Sequence, residues 1–171
     1  MLLQTERLLL REMEKSDLPA LRRILQDPEV MYAYEHAFTE DEVQAWFQKQ
    51  RQNYSRYGYG LWAVVLRSTG EMIGQCGLTR QPWGDREVTE IGYLFAKAFW
   101  HNGYAAEAAI ACKQYAFDVL GEREVFSIIR ESNLPSQKVA RRNGMQPCGR
   151  QIKRYYGMDM PHLVFSIQRE E

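Results

Sequence analysis

A glycine followed by small residues lies where a predicted strand gives way to a long predicted helix. The segment Phe99–Ala108 reads FWHNGYAAEA and follows the alternating run Glu90–Phe95. The first turn of a helix carries unpaired backbone N–H groups and a partial positive charge, which suit phosphate. Gly103, Ala105 and Ala106 add little bulk there, so the sequence suggests an anion site. On this stretch alone, a simple turn and helix start is the favoured interpretation, and the anion site stays open.

Asn133 and Ser136 stand at the start of the last predicted helix, after a predicted strand. Asn and Ser are common there because their side chains accept hydrogen bonds from free backbone N–H groups. They also offer an amide and a hydroxyl to any ligand at the helix start. Taken alone, the two residues favour capping, and a binding role stays open.

Other nucleotide and metal motifs are missing from the sequence. It contains neither GxxxxGK[ST] nor GxGxxG, so a P-loop and the common dinucleotide fingerprint are excluded. Cys76, Cys112 and Cys148 are widely spaced, odd in number and form no CxxC pair. This argues against a disulfide framework or a zinc site and fits a reducing cytoplasm. We therefore expect no metal and a cytoplasmic location.

The charge balance gives no reason to expect nucleic acid or a membrane surface as a partner. Lys plus Arg equals Asp plus Glu at 22 each, so no net charge favours a polyanion. No run approaches the roughly 18 apolar residues of a membrane helix, and the charged N-terminus is unlike a signal peptide. A length of 171 residues with 45% apolar side chains predicts one domain over residues 1–171.

Hydrophobic periodicity predicts seven strands and four helices in the order β-α-α-β-β-β-α-β-α-β-β. The predicted strands are Arg7–Arg11, Leu61–Leu66, Met72–Leu78, Val88–Phe95, Glu124–Ile129, Gln151–Tyr156 and Leu163–Gln168. Two helices begin after Ser16 and Thr39, and two span Ala105–Leu120 and Pro135–Asn143. Gln81–Asp85 is predicted to be a loop. The order indicates an α/β (α+β) fold with a mixed, mostly antiparallel sheet and helices on its faces.

In combination, FWHNGYAAEA and SNLPSQKVARRNGM resemble the Gcn5-related N-acetyltransferases (GNAT), and among them the ribosomal-protein N-terminal acetyltransferase group. The segments TERLLLREMEKSDLPAL, DPEVMYAY, GEMIGQCGL and EVTEIGYLF extend the resemblance in the same order, from Thr5 to Phe165. The resemblance implies a single acetyltransferase domain that uses acetyl-CoA. The acetyl group would pass to a primary amine, on a protein N-terminus or a small molecule, by direct attack in a ternary complex.

Within this resemblance, the chain that follows Glu90 holds acetyl-CoA. The expected cofactor-binding residues are Leu94, Phe95, Ala96, His101, Asn102, Gly103, Tyr104, Ala105, Ala106, Asn133 and Ser136. The family tends to have a fixed cation in the loop before Gly103, which this chain replaces with Trp100, His101 and Asn102. This loss should weaken the electrostatic part of phosphate binding. Protonated His101 or the nearby Lys97 would restore part of it.

The resemblance assigns catalysis to Glu90 and Ser136. An amine arrives mostly protonated near pH 7, so a base such as Glu90, acting directly or through water, is useful. Ser136 would lie near the thioester sulfur, because Ala140 occupies the position where many relatives have a tyrosine acid. A backbone N–H near Leu94 or Phe95 would bind the oxyanion. The alternative for Glu90 is an ordinary exposed glutamate at a strand end.

The expected acceptor-binding residues are Tyr32, Tyr34, Glu35 and Trp83. Aromatic and acidic side chains suit a cationic amine through cation–π and charge contacts, whereas a loop folded over the core is the alternative. Two other functions stay open: a CoA-binding sensor or interaction module without catalysis, and a structural protein that binds no CoA. The resemblance also admits a homodimer, since relatives often dimerise.

Overall fold

A continuous eight-stranded sheet forms the centre of the molecule. A computed structural model describes residues 3–34, 36–155 and 157–171, so the prediction for Glu35 lies outside the described residues. The strands are β1 Leu3–Gln4, β2 Leu8–Arg11, β3 Leu61–Leu66, β4 Met72–Trp83, β5 Arg86–Phe95, β6 Glu124–Arg130, β7 Gln146–Tyr155 and β8 Met158–Gln168. The α-helices are α1 Leu18–Leu25, α2 Glu40–Tyr57, α3 Tyr104–Asp118 and α4 Leu134–Arg142.

The sheet has the order β1-β2-β3-β4-β5-β6-β8-β7, and neighbours are antiparallel except for the parallel pair β5 and β6. This arrangement confirms the predicted fold class. Each of the seven predicted strands corresponds to one strand of the sheet, and β1 adds an eighth. A strand of two residues is too short to show a hydrophobic period, so no sequence pattern indicated β1.

The hairpin between β4 and β5 is longer than the sequence predicts. The loop prediction is wrong for residues 81–83, which extend β4, and Trp83 pairs with Arg86. Pro82 favoured a loop because proline cannot donate a ladder hydrogen bond. It is tolerated here because β3 pairs with β4 only as far as Gly77, which leaves that side of Pro82 without a strand. β7 also begins earlier than predicted, where a bulge near Pro147 interrupts the alternation.

Alternate residues of β3 enter two separate cores, one on each face of the sheet. Trp62 and Val64 pack in a large cluster that includes Cys112 of α3. Ala63 and Val65 pack in a second cluster with side chains of α1 and α2. The helices α1 and α2 therefore cover one face of the sheet, and α3 covers the other.

No helix among the described residues is long and apolar enough to cross a membrane. Within the same residues, no group of three or more His, Cys, Asp or Glu side chains is placed to hold a metal ion.

Candidate active site

The strands β5 and β6 diverge directly after Glu90. Among the described residues, Glu90 and Phe126 form the one register pair between these strands. Beyond this pair, the two strands are joined by hydrogen bonds that involve side chains, in place of a ladder of backbone-to-backbone bonds. Ser127 Oγ donates to the Ile91 carbonyl at 2.9 Å, and the Ile128 N–H donates to Glu90 Oε2 at 2.8 Å. The divergence opens a cleft within the sheet.

This cleft brings together the two residues to which the sequence assigned catalysis. Glu90 of β5 and Ser136 of α4 both line it, as does the predicted cofactor contact Asn133. The remaining lining residues are Ala33, Ile91, Gly92, Tyr93, Ile128, Ile129, Arg130 and His162. Residues from three strands, one helix and the α1–α2 loop therefore meet at one cavity.

The backbone of β5 presents Tyr93 and Phe95, rather than Leu94, to this cleft. The Ala96 N–H donates to a carbonyl of β4 at 2.9 Å, and alternate residues of an antiparallel strand bond to the same neighbour. Leu94 therefore directs its backbone groups to β4, whereas Tyr93 and Phe95 direct theirs toward the gap. This narrows the expected oxyanion donor to the N–H of Phe95 or Tyr93. The Ala96 carbonyl also accepts a bond within the protein, so both its backbone groups are engaged.

The environment of Glu90 makes its carboxylate a stronger base. Burial raises the pKa of Glu90 above its ordinary value, although the charge of Lys153 and the hydrogen bonds from Ile128 and Thr79 oppose this effect. The Thr79 hydroxyl lies 3.4 Å from Oε1, while Oε2 accepts the shorter bond from Ile128. A carboxylate of raised pKa is better matched to proton transfer near neutral pH.

The start of α4 is tied to the loop between α1 and α2. Asn133 Oδ1 accepts a bond from the Ser136 N–H at 3.3 Å, which is the capping contact that the sequence favoured. The same oxygen accepts a bond from the Tyr32 hydroxyl at 2.8 Å. The Tyr32 carbonyl in turn accepts from Arg130 Nη1 at 3.1 Å. Tyr32 thus lies at the cleft, and its role toward an acceptor stays a prediction.

Sequence reasoning missed two polar side chains of the cleft. The Tyr93 hydroxyl crosses the gap and donates to the Ser136 carbonyl at 2.7 Å. His162 of β8 lies with Nδ1 2.8 Å from the Met160 carbonyl, and burial lowers the pKa of His162. Each lies in a strand that carries several other polar residues. No pattern in the sequence distinguishes such a residue from a buried structural one.

Two predicted acceptor residues lie away from the cleft. Tyr34 packs edge to face against Phe38 and Trp46, with ring centroids 6.2 and 6.1 Å apart. Trp83 covers Phe126 at a centroid distance of 5.5 Å, near the far end of the β4–β5 hairpin. Both side chains therefore pack against neighbouring aromatic rings, and their role toward an acceptor stays a prediction.

The start of α3 has the open form that its small residues predict. Gly103 is the N-cap with φ of 78°, and His101 before it also has a positive φ of 64°. The first intrahelical bond runs from the Glu107 N–H to the Gly103 carbonyl at 3.1 Å. The N–H groups of residues 104–106 precede this bond and point out of the helix. Asn102 serves the turn, because its side-chain amide donates to two preceding carbonyls.

A cation that the sequence did not indicate lies beside this helix start. Arg7, which directly precedes β2, donates from Nη1 to the Asn102 carbonyl at 3.0 Å and from Nε to Glu107 Oε2 at 2.7 Å. Its guanidinium also lies over the Tyr104 ring, 4.4 Å from the centroid. Lys97, by contrast, forms an ion pair with Glu29. The expectation that Lys97 serves the loop is therefore not supported.

The sheet order, the divergence of β5 and β6 and the open start of α3 together describe an acetyltransferase fold. Residues 7–146 match the family model described as "Acetyltransferase (GNAT) domain". The chain belongs to the GNAT family of acetyltransferases.

Individual relatives and solved structures are similar to the chain over most of its length. An uncharacterised protein of Bacillus subtilis, YkkB, is 38% identical over 144 residues, which are 84% of each chain. The crystal structure of a GNAT-family acetyltransferase from Bacillus anthracis superposes with a TM-score of 0.83, at 26% identity and 98% coverage of both chains. RimL, a ribosomal L7/L12 N-terminal acetyltransferase solved with coenzyme A, has a TM-score of 0.76 at 18% identity, covering 98% of each chain. This last likeness concerns the fold.

Proposed function

We propose that the protein transfers the acetyl group of acetyl-CoA to a primary amine, on a protein N-terminus or a small molecule, by direct attack in a ternary complex. The observation that carries the proposal is the placement of Glu90 and Ser136 at one cleft, where β5 and β6 part. Membership of the GNAT family supports acetyl-CoA as the donor.

The elements around the cleft offer binding groups in the order that acetyl-CoA needs them. The free N–H groups at the start of α3 suit the pyrophosphate. The backbone of Tyr93 and Phe95 suits the amide groups of the pantetheine, which would lie along β5 like a short extra strand. The thioester would then lie between Ser136 and Glu90.

The reaction needs one proton acceptor and one donor for the oxyanion. Glu90 accepts a proton from the amine, directly or through water, and the amine nitrogen attacks the thioester carbonyl carbon. The N–H of Phe95 or Tyr93 stabilises the oxyanion. The carbon–sulfur bond then breaks, and the CoA thiolate leaves and takes up a proton. Its pKa of about 8.5, by analogy with Cys, makes it a tolerable leaving group, so Ser136 has a minor role beside the sulfur.

A CoA-binding module without catalysis is the second candidate, and one observation favours it. Ala140, at the position where many relatives have a tyrosine acid, is buried in the core with 1% exposure. The chain therefore has no phenol at this point of α4. This candidate shares the donor site but predicts no turnover with any amine.

Calorimetry with acetyl-CoA tests the donor site first. Gly103→Gln places a side chain at the opening of α3, and Gly121→Gln is its matched control. Gly121 lies beyond the other end of α3 with φ of 72°, so both substitutions carry a similar strain in the left-handed region. We expect wild type and Gly121→Gln to bind and Gly103→Gln to lose binding while it stays folded. Equal binding by all three would contradict the site.

A panel of amines then separates the two candidate functions. Wild type is incubated with acetyl-CoA and either peptides with free N-termini or small amines, and free thiol is measured. Amine-dependent thiol release with a matching mass increase of the acceptor supports the transferase. Tight binding without release on the whole panel would favour the binding module.

A further inference from the structure

We propose that Arg7 positions the start of α3 and supplies the positive charge toward the pyrophosphate that the loop at residues 100–102 lacks. The inference rests on the proposed function, because it takes acetyl-CoA as the molecule that binds at α3.

Arg7 joins three points of the phosphate-binding segment. Nη1 donates to the Asn102 carbonyl, Nε donates to Glu107, and the guanidinium plane lies over Tyr104. The guanidinium is planar and carries several donors, so it can bond a carbonyl and a carboxylate while it stacks on a ring. The contacts hold the turn before Gly103 and the first turn of α3 in one arrangement relative to the sheet.

The third nitrogen of Arg7 lies beside the glycine at the helix start. A Cβ built on Gly103 would be 3.6 Å from Arg7 Nη2. The space above Gly103 is where a phosphate would approach the free N–H groups. The guanidinium charge therefore lies at the edge of this space, and 42% of the Arg7 side chain is accessible to solvent.

Arg7 also cancels a carboxylate that would otherwise repel phosphate. Burial favours a raised pKa for Glu107, but hydrogen bonds from Thr5 and Arg7 and the Arg7 charge outweigh it, so the pKa of Glu107 is lowered. Thr5 Oγ1 donates to Oε1 at 2.6 Å, and the Arg7 N–H donates to the same oxygen at 2.9 Å. Glu107 is thus ionised within the first turns of α3. Without Arg7 its charge would oppose the helix dipole toward an anion.

Arg7→Gln tests the charge, and Arg67→Gln is the matched control. Arg67 donates from Nη1 to the Thr5 and Glu6 carbonyls, so it contacts the same chain segment without reaching α3. We expect Arg7→Gln to weaken acetyl-CoA binding in calorimetry by about tenfold or more, the order expected for one nearby charge. Arg67→Gln should bind like wild type. The affinity of Arg7→Gln should also depend less on salt.

A donor without phosphates separates charge from simple structural damage. S-acetylpantetheine carries the thioester but no pyrophosphate, so Arg7→Gln should leave its KM and kcat within about twofold of wild type. Equal losses with both donors would show a structural role only and overturn the inference. Unchanged acetyl-CoA affinity in Arg7→Gln would overturn it as well. If wild type itself fails to bind acetyl-CoA, the proposed function fails, and this inference fails with it.

A second pair of variants keeps the test valid if Arg7→Gln alone does not fold. Removing both partners of an ion pair is less harmful than leaving one charge unpaired. Glu107→Gln and the double variant Arg7→Gln/Glu107→Gln both lack the carboxylate and differ only at Arg7. The double variant should bind acetyl-CoA less tightly than Glu107→Gln but more tightly than Arg7→Gln. Equal affinity of Glu107→Gln and the double variant would contradict a charge contribution from Arg7.

Discussion

Replacing Glu90 by glutamine or by alanine separates its chemical role from its structural one. Glutamine keeps a carbonyl oxygen where Oε2 accepts the Ile128 N–H, so the divergence of β5 and β6 should persist. Alanine leaves the N–H of a buried residue, 9% exposed, without this acceptor. An unsatisfied buried group costs about 1–3 kcal/mol.

The two variants should therefore differ in stability. For a chain of this size about 1 kcal/mol shifts Tm by roughly 2–4 °C, so a cost of about 1–3 kcal/mol predicts that Glu90→Ala loses roughly 2–12 °C. Glu90→Gln should not lose stability at pH 8. Because the pKa of Glu90 is raised in the folded protein, ionised Glu90 opposes folding, and stability falls as pH rises through that pKa. Glutamine removes this penalty.

The loss of activity should be similar in both variants. A general base contributes about 10²–10⁴-fold, and a base acting through water belongs at the lower end. We expect kcat of Glu90→Gln to fall about 100-fold, which corresponds to about 2.7 kcal/mol of transition-state stabilisation. The assay is thiol release from acetyl-CoA with a saturating amine, measured from pH 5 to 9 beside thermal unfolding.

The pH profile provides the refuting result. In wild type, kcat should fall as pH drops through the raised pKa of Glu90, and Glu90→Gln should lack this acidic limb. A Glu90→Gln variant with kcat near wild type and the same acidic limb would show that another group accepts the proton. The assignment of Glu90 as base would then be wrong, although the cleft would remain.

Three further outcomes are expected. Asp17→Asn should lower Tm by roughly 6–12 °C, since about 3 kcal/mol is typical for breaking a buried ion pair; Asp17 is 5% exposed and accepts two bonds from Arg11. Although burial opposes this effect, hydrogen bonds and the charge of Arg11 lower the pKa of Asp17 in the folded protein. The ion pair therefore stabilises the fold above the pKa of Asp17 in the unfolded chain, and this stabilisation is lost as pH falls through the pKa in the folded protein. Acid-unfolding curves of wild type and Asp17→Asn test this. Tyr32→Phe should tighten acetyl-CoA binding about threefold in calorimetry, because it frees Asn133 Oδ1 from one hydrogen bond; weaker binding would contradict this. Ellman's reagent should count one thiol in the native protein and three after denaturation. Cys148 is exposed, whereas Cys76 and Cys112 are buried, and burial raises the pKa of Cys76. Three thiols that react quickly in the native state would refute this expectation.

The sequence predicted most of the fold because local patterns governed it. Alternating apolar residues located the strands, and the Thr39 capping box located the start of α2, where the Glu42 N–H bonds to the Thr39 hydroxyl. The failures have tertiary causes. Pro82 lies in a strand because no neighbour needs its missing N–H, and this depends on where a distant strand ends.

The site was predictable only where local structure creates it. The open helix start at Gly103 and the cap at Asn133 are consequences of short segments, and the structure has both. Arg7, Tyr93 and His162 are brought to their positions by pairing between strands far apart in sequence. Their residue types carry no local signal. Tyr34 and Trp83 stay ambiguous, since an aromatic residue in a loop region fits a core as well as a binding site.

The divergence of β5 and β6 also determines how two reactants can reach each other. Glu90 and Leu94 are four residues apart on β5, so their side chains point to the same face of the sheet, where Leu94 packs near α1 and α2. Ala140 of α4 packs in the core on the opposite face, which α3 covers. The cleft therefore lies between Glu90, which has the orientation of the α1–α2 face, and α4, which lies on the α3 face. Under the proposed mechanism, a donor bound beside α3 and α4 would leave the α1–α2 face for the amine. Initial-rate kinetics should give intersecting lines, and neither substrate should compete with the other for entry.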